Sequence, residues 1–253
     1  MATPLRSGNP ALSRDTFLDS ASGTVVSSDG TMTVNGTVNK TAFLLILVLC
    51  GAMYSWNAFA SQGIDAVQPL VMIGALGGFV LAMITIFKKN WAMVTAPAYA
   101  ALEGLFIGAL SAMLNAHYHG IVIQAVALTF GTMGALLLAY RSGLIRATEK
   151  FKLGVFAATG GVCLLYLGDM VMGLFGHHIS AIYSSSPLGI GLSAVVVVIA
   201  ALNLILDFDM IEQGVAMRAP KYMEWYGAFG LVVTLVWLYL EILRLLSKLN
   251  SRN

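Results

Sequence analysis

Seven long apolar stretches dominate the sequence from residue 41 onward, and they leave little surface that could face water. A helix needs ~20 residues to cross the ~30 Å hydrocarbon core of a bilayer, and each stretch is about that long. Because a helix of a soluble protein keeps one polar face, the pattern predicts an all-α, polytopic membrane protein. The predicted spans are 41–60, 67–87, 91–114, 120–140, 153–175, 188–210 and 225–247.

The composition supports the same class. Hydrophobic residues make up 58% of the chain and charged residues only 10%, against roughly 25% charged in a soluble domain. Residues 1–40 are rich in Ser, Thr, Gly and Asn, so we predict a flexible tail followed by a transmembrane domain over residues 41–253. The tail lacks the pattern of a signal peptide, and the first apolar stretch is expected to act as an uncleaved anchor.

Basic residues are distributed unevenly between the two sides of the predicted bundle. Eleven of the 14 fall on the side of the tail, which predicts a cytoplasmic N-terminus. The other three, Arg244, Lys248 and Arg252, fall on the far side if the last segment spans. A re-entrant last helix would return them to the cytoplasm and is the alternative. The eleven are Arg6, Arg14, Lys40, Lys88, Lys89, Arg141, Arg146, Lys150, Lys152, Arg218 and Lys221.

Carboxylates lie inside the predicted spans or at their margins, whereas no Lys or Arg lies well inside the first six. Ionised groups are costly in the bilayer, so these acids are candidate functional residues. Acids without basic partners share protons, accept hydrogen bonds or bind cations. The pattern therefore favours a pathway or sensor for protons or metal cations. The five candidates are Glu103, Asp169, Asp207, Asp209 and Glu241.

Two of these acids, Asp207 and Asp209, close the sixth apolar stretch. Being two residues apart, they lie ~200° apart on a helix and cannot both face one neighbour. Asn203 shares a face with Asp207, and Glu212 shares a face with Asp209. We expect one aspartate to point into the bundle and the other toward the boundary.

Glu241 contributes a carboxylate from the last helix, and Arg244 at i+3 could pair with it within that helix. If a sixth-helix acid approached Glu241 instead, the two would share a proton and titrate together. Protonation would then let the helices shift, and deprotonation would create a cation site. For an acid of the sixth helix to contact Glu241, the last helix must be offset relative to the sixth, or the sixth helix must extend beyond Glu212.

The other polar positions have plainer interpretations. Glu103 precedes Gly104 and Gly108, a small-xxx-small face that packs tightly on a neighbour, so its role is structural or in the ion path. Asp169 is expected to be hydrated near the outer boundary. Cys50 and Cys163 are expected to be buried, inert thiols. The histidines of the outer loops either tune a pH response or are solvent-exposed: His117, His119, His177 and His178.

Three segments together resemble the transmembrane Bax-inhibitor-motif family and its bacterial, YccA-like branch. They are Ala101-Leu102-Glu103-Gly104-Leu105, Leu206-Asp207-Phe208-Asp209-Met210-Ile211-Glu212-Gln213-Gly214 and Leu238-Tyr239-Leu240-Glu241. The resemblance covers about residues 40–250. The resemblance implies six helices around a central seventh. It also implies a calcium leak across the membrane and a di-acidic pH sensor that joins the sixth and seventh helices.

In this chain, the resemblance assigns the sensor residue of the sixth helix to Asp209 if the family's aromatic-Asp dipeptide is aligned with Phe208-Asp209. The sensor residue falls on Asp207 if the Leu-Asp dipeptide is aligned. The seventh-helix sensor falls on Glu241, where better-known members carry Asp. An arginine that secures the closed state in some members has no counterpart inside the second span, and Lys88 or Lys89 is the nearest candidate.

Two functions therefore compete. The first is a pH-sensitive calcium-permeable leak channel in the lipid bilayer, with Asp207, Asp209 and Glu241 contacting protons and calcium as the permeant ion. The second is a membrane partner that modulates a quality-control protease through the tail. A proton-coupled transporter is a third possibility. No catalytic motif appears, so we expect no enzyme activity or bound cofactor, and a net charge of +2 does not indicate nucleic-acid binding.

Overall fold

The computed structural model describes residues 30–252, and within that range the chain is helical without a β-strand. Seven of the helices are long and apolar enough to cross a membrane. The predicted fold class, an all-α polytopic membrane protein, is therefore confirmed. The seven are α1 (Val34–Gln62), α2 (Ile64–Phe87), α3 (Ala92–His117), α4 (Ile121–Arg141), α5 (Glu149–Leu174), α6 (Pro187–Ala216) and α7 (Met223–Asn250).

Capping residues extend several helices beyond the apolar stretches. Thr33 precedes α1, and its side chain accepts a hydrogen bond from the backbone N–H of Gly36. Ser186 caps α6 in the same way, with Pro187 at the first helical position. The helix α1 begins at Val34, so residues 34–40 of the predicted tail are helical. Residues 1–29 of the predicted tail lie outside the described residues.

Two ends of the bundle can be distinguished by their contacts. At the end we name the basic end, Lys40 of α1 meets Glu224 of α7, and Tyr140 of α4 meets Glu212 of α6. At the opposite end, Lys248 of α7 donates to α6. The helix α7 runs between the two ends as one continuous element of 28 residues. A re-entrant last helix is thus not what the structure shows.

The C-terminal helix α7 is the most buried of the seven. It packs against α1, α3, α4 and α6, and a hydrogen bond from Tyr166 connects it to α5. The helix α2 packs against α1 and α3. Val232, Leu235 and Leu238 of α7 are almost completely buried and form the centre of the apolar core.

Glycines bring α1 and α3 into backbone contact. A Cβ atom built on Gly104 would lie 2.3 Å from the carbonyl oxygen of Val48, and one on Gly108 would lie 2.3 Å from that of Ala52. Real Cβ atoms do not come so close, so only glycine fits at either position. The tight packing predicted for the small-xxx-small face of α3 is confirmed.

Candidate functional site: carboxylates within the helical bundle

Asp207 lies inside the bundle and faces α7. It is nine residues before the last residue of α6, Ala216, which places it ~14 Å from the basic end. Its Oδ1 atom would lie 3.9 Å from a Cβ built on Gly230 of α7, and the Thr234 hydroxyl is beside it. Among the buried side-chain nitrogen and oxygen atoms of residues 30–252, Oδ2 of Asp207 is the one without a hydrogen-bond partner.

Asp209 points to a different neighbour. Its Oδ2 lies 2.8 Å from Nζ of Lys152 on α5 and accepts a hydrogen bond of 2.5 Å from Nε2 of Gln213. Glu212, one turn further along α6, accepts a hydrogen bond of 2.6 Å from the Tyr140 hydroxyl. Asp209 and Glu212 line one cavity at the basic end. The two aspartates therefore have separate surroundings, as their angular separation requires.

Glu241 is only 2% exposed and is already paired. Both of its carboxylate oxygens lie 3.2 Å from Nη1 of Arg244, and Oε1 accepts a hydrogen bond of 2.9 Å from the Tyr166 hydroxyl. The arginine also bonds to that hydroxyl. Glu241, Arg244 and Tyr166 thus form one buried cluster that joins α7 to α5.

The structure does not bring a sixth-helix acid to Glu241. Asp207 meets α7 at Gly230, which is 11 residues before Glu241, or ~16 Å along the helix axis. The ion pair of Asp209 with Lys152 belongs to the basic end, where α5 begins. Neither aspartate therefore forms the di-acidic pair with Glu241 that the family resemblance implied.

A family model described as Bax inhibitor 1 like matches residues 9–251. The chain belongs to this Bax inhibitor 1 like family. The match includes all seven long helices and the acids of α6 and α7. Comparisons with curated proteins and with solved structures gave no match. The family is therefore shown, while the bacterial YccA-like branch remains a prediction.

The calcium ligands predicted for this Bax inhibitor 1 like protein are not gathered in one place. Asp207, Asp209 and Glu241 have the separate neighbours described above. Within residues 30–252, no group of three His, Cys, Asp or Glu side chains is arranged to hold a metal ion. Since Ca²⁺ takes six to eight oxygen ligands, a site made of these three acids together is not what the structure contains.

Two other predicted residues connect neighbouring helices. Asn203 donates a hydrogen bond of 2.8 Å from Nδ2 to Oγ1 of Thr159, which ties α6 to α5. Glu103 of α3 is half-buried against α2, with Oε2 2.8 Å from the position of a Cβ on Gly78. The Glu103 carboxylate thus packs against bare backbone, at a different helix pair from Asp207.

Asp169 is buried, contrary to the prediction of a hydrated boundary residue. It is 5% exposed and lies under the connector between α5 and α6. The backbone N–H of Ile179 and the hydroxyl of Tyr183 donate hydrogen bonds of 2.8 and 2.5 Å to it. Nδ1 of His178 lies 3.6 Å away. The hydrogen bond to Asp169 raises the pKa of the Tyr183 phenol. The connector thus folds back on a carboxylate at the opposite end.

Sequence reasoning missed the most buried carboxylate, Glu224, which it had placed in the connector before α7. Its side chain is 0% exposed and forms ion pairs with Lys40 and, at 3.3 Å, with Lys221. Both the backbone N–H and the hydroxyl of Thr33 donate hydrogen bonds of 2.9 Å to it. The signal in the sequence is the position of Glu224 in the first turn of a helix, where an acidic side chain is stabilising. Its partners at the start of α1 could not be predicted, because they are about 190 residues away in the chain.

Proposed function

We propose that this Bax inhibitor 1 like protein provides a pH-sensitive pathway for calcium ions across the membrane, with Asp207 as the side chain that exchanges a proton for a cation. The observation that carries the proposal is the buried Oδ2 atom of Asp207, which has no hydrogen-bond partner among the described residues. An ionised carboxylate in such a place is costly unless it takes up a proton or meets a cation. The seven-helix bundle supports this interpretation because acids inside membranes typically mark ion paths.

The surrounding charges favour a cation over an anion. Of the 12 Lys and Arg residues within 30–252, nine lie at the basic end, and Arg244, Lys248 and Arg252 belong to the last three turns of α7 or follow it. Arg244 is committed to Glu241. Asp207 is therefore an acid in the bundle without a basic partner near it. By the positive-inside rule, we place the basic end on the cytoplasmic side. We propose the inner (plasma) membrane as its location because of the resemblance to the bacterial branch of the family.

Asp207 and Glu241 have different parts in the proposed mechanism. Asp207 changes its charge where α6 meets α7 and so alters the contact at Gly230 and Thr234. Glu241 stays paired and holds α7 to α5 through Tyr166. A change of pH thus acts on the α6–α7 contact while the opposite half of α7 remains anchored.

Calcium flux into proteoliposomes, followed with an entrapped calcium-sensitive dye between pH 5.5 and 8.5, tests this proposal. We expect the wild-type flux to change with pH. Asp207→Asn, which cannot ionise, should flatten that pH profile. Asp209→Asn is the matched control, because it removes a carboxylate two residues away that is already paired with Lys152. It should keep the wild-type profile.

The outcomes separate the parts of the proposal. A wild-type pH profile in Asp207→Asn would eliminate Asp207 as the titrating group. Equal flattening in Asp207→Asn and Asp209→Asn would assign the effect to the net charge of α6 instead. No calcium flux above that of empty liposomes at any pH would refute conduction itself.

A further inference from the structure

An open groove runs between α1 and α4, and we call it the α1–α4 groove. It consists of two cavities of about 700 and 1040 Å³, and Leu45 lines both of them. The smaller cavity, which we call the middle part of the groove, lies between residues 45–57 of α1 and residues 122–130 of α4, the half of α4 farther from the basic end. Leu235 and Tyr239 of α7 are also in its wall. The larger cavity opens at the basic end, beside the loop that follows α4. Ligand pockets in proteins have similar volumes.

The middle part of the groove is suited to hydrocarbon. Its rim is formed by exposed apolar side chains, including Leu49 and Met53 of α1 and Val126 and Phe130 of α4. Hydroxyl groups in its wall are bonded within the protein: the Tyr239 and Ser111 hydroxyls lie 2.6 Å apart, and the Thr129 hydroxyl donates to the backbone carbonyl of Ala125 at 2.7 Å.

The mouth at the basic end carries two arginines, Arg141 and Arg146. Both are exposed, and neither takes part in the ion pairs found within residues 30–252. Gly143, with a positive φ of 74°, turns the chain between them, and Nη2 of Arg146 lies 3.9 Å from the position of a Cβ on that glycine. The guanidinium group of Arg146 thus lies against the turn at Gly143, two residues after Arg141.

Two acids also line the mouth. Asp209 pairs with Lys152, whereas Glu212 accepts a hydrogen bond from the neutral Tyr140 hydroxyl and keeps its negative charge. Arg141 and Arg146 together outweigh that single charge, and their guanidinium groups are the cationic side chains of the lining. Their planar donor geometry matches phosphate oxygens. The mouth is thus complementary to an anionic headgroup at the level of the membrane surface.

We propose that the α1–α4 groove binds an anionic phospholipid from the bilayer, with the phosphate at Arg141 and Arg146 and an acyl chain in the middle part. Phe130 is 11 residues from Arg141 along α4, or ~16 Å, which is about half of the ~30 Å hydrocarbon core. A chain entering from the leaflet at the basic end therefore reaches Phe130 without leaving the groove. This proposal does not depend on calcium conduction.

Native mass spectrometry of the full chain in a neutral detergent tests it, with phosphatidylglycerol and phosphatidylcholine of identical chains as probes. We expect phosphatidylglycerol to bind more tightly. Each basic side chain near a membrane surface contributes about fivefold in affinity for anionic lipid. The double variant Arg141→Gln and Arg146→Gln should therefore bind phosphatidylglycerol about 30-fold more weakly. Replacing both with Lys keeps the charge, removes the planar fork and should cause a smaller loss.

The matched charge control is the double variant Lys150→Gln and Arg218→Gln. These exposed residues are at the same end of the bundle but line neither cavity. The control should keep wild-type affinity. An equal loss in both double variants would mean non-specific attraction to a basic surface and would overturn the site. Equal affinity for the two lipids in the wild type would do the same.

A second pair of variants tests the apolar part. Val126→Trp fills the groove and should reduce phosphatidylglycerol binding at least tenfold, whereas Val80→Trp, on an exposed face of α2 outside the groove, should not. Unchanged binding by Val126→Trp would remove the acyl chain from the proposal. Soluble glycerol phosphate should not compete with the lipid. Competition at comparable concentrations would identify a site for free phosphate and refute lipid binding.

Discussion

The glycine contact between α1 and α3 gives the sharpest prediction about stability. Gly104→Ala adds a methyl group that would lie 2.3 Å from the carbonyl oxygen of Val48, while ordinary contact begins at 3.4 Å. The two helices must therefore separate by about 1.1 Å (3.4 − 2.3) or rotate. The obstructing atoms belong to backbone, so no side chain can turn away to relieve the contact. Overpacking of this kind typically costs about 1–3 kcal/mol.

The same substitution has an opposing effect on the helix itself, since alanine is favoured over glycine by about 1 kcal/mol in a helix interior. Gly131→Ala isolates that effect, because a Cβ on Gly131 of α4 would have nothing within 4 Å. We therefore expect Gly131→Ala to be neutral or slightly stabilising. Gly104→Ala should lie about 1–3 kcal/mol below it in the free energy of unfolding.

Reversible unfolding in mixed micelles, followed by the fluorescence of the four tryptophans, measures the difference. Gly108→Ala is a second test, since its methyl group would lie 2.3 Å from the carbonyl oxygen of Ala52. Equal stability of Gly104→Ala and Gly131→Ala would refute the backbone contact between α1 and α3.

Two further predictions concern the opposite half of the bundle. Arg244→Met leaves the buried Glu241 carboxylate without its charged partner and should lower the free energy of unfolding by about 1–3 kcal/mol. Thermal unfolding measures this loss. The control is Arg252→Met, at an exposed terminal position, which should match the wild type. The raised pKa of Tyr183 means that its hydrogen bond to Asp169 stabilises the fold below the ordinary phenol pKa of about 10 and is lost as pH rises through the raised pKa. The difference between the absorbance titrations of the wild type and Tyr183→Phe reports the ionisation of the Tyr183 phenol, which should have a raised pKa. Asp169→Asn should lower that pKa. An ordinary phenol pKa for Tyr183 in the wild type would contradict the contact.

Hydropathy was sufficient to predict the seven helices, because crossing a bilayer requires long apolar segments. It did not locate the helix ends, which depend on hydrogen bonds to single polar residues. Thr33 starts α1 within the segment predicted as tail, and Ser186 with Pro187 starts α6. Similarly, α6 continues to Ala216, six residues beyond the end of the predicted span at residue 210. Backbone hydrogen bonds continue the helix there, where the apolar stretch has ended.

The local relations among the acids could also be predicted. The separation of Asp207 and Asp209 follows from helix geometry, and the pairing of Glu241 with Arg244 follows from their spacing. Contacts between distant segments could not be predicted from one sequence. Tyr166 reaches Glu241 from 75 residues away. Asp169 is buried because a connector without regular periodicity folds over it.

The two ends of α7 differ mechanically from its middle. Glu224 fastens the first turn to α1, and breaking a buried ion pair costs about 3–5 kcal/mol. Lys248 fastens the last turn, with hydrogen bonds of 3.0 and 2.8 Å to Gly189 and Ser193 of α6. Between them, Gly230 has no side chain to hold α7 against Asp207. Sliding the whole helix would break both attachments, whereas bending at this glycine breaks neither, so motion of α7 is expected to be flexure at Gly230, in the first third of the helix.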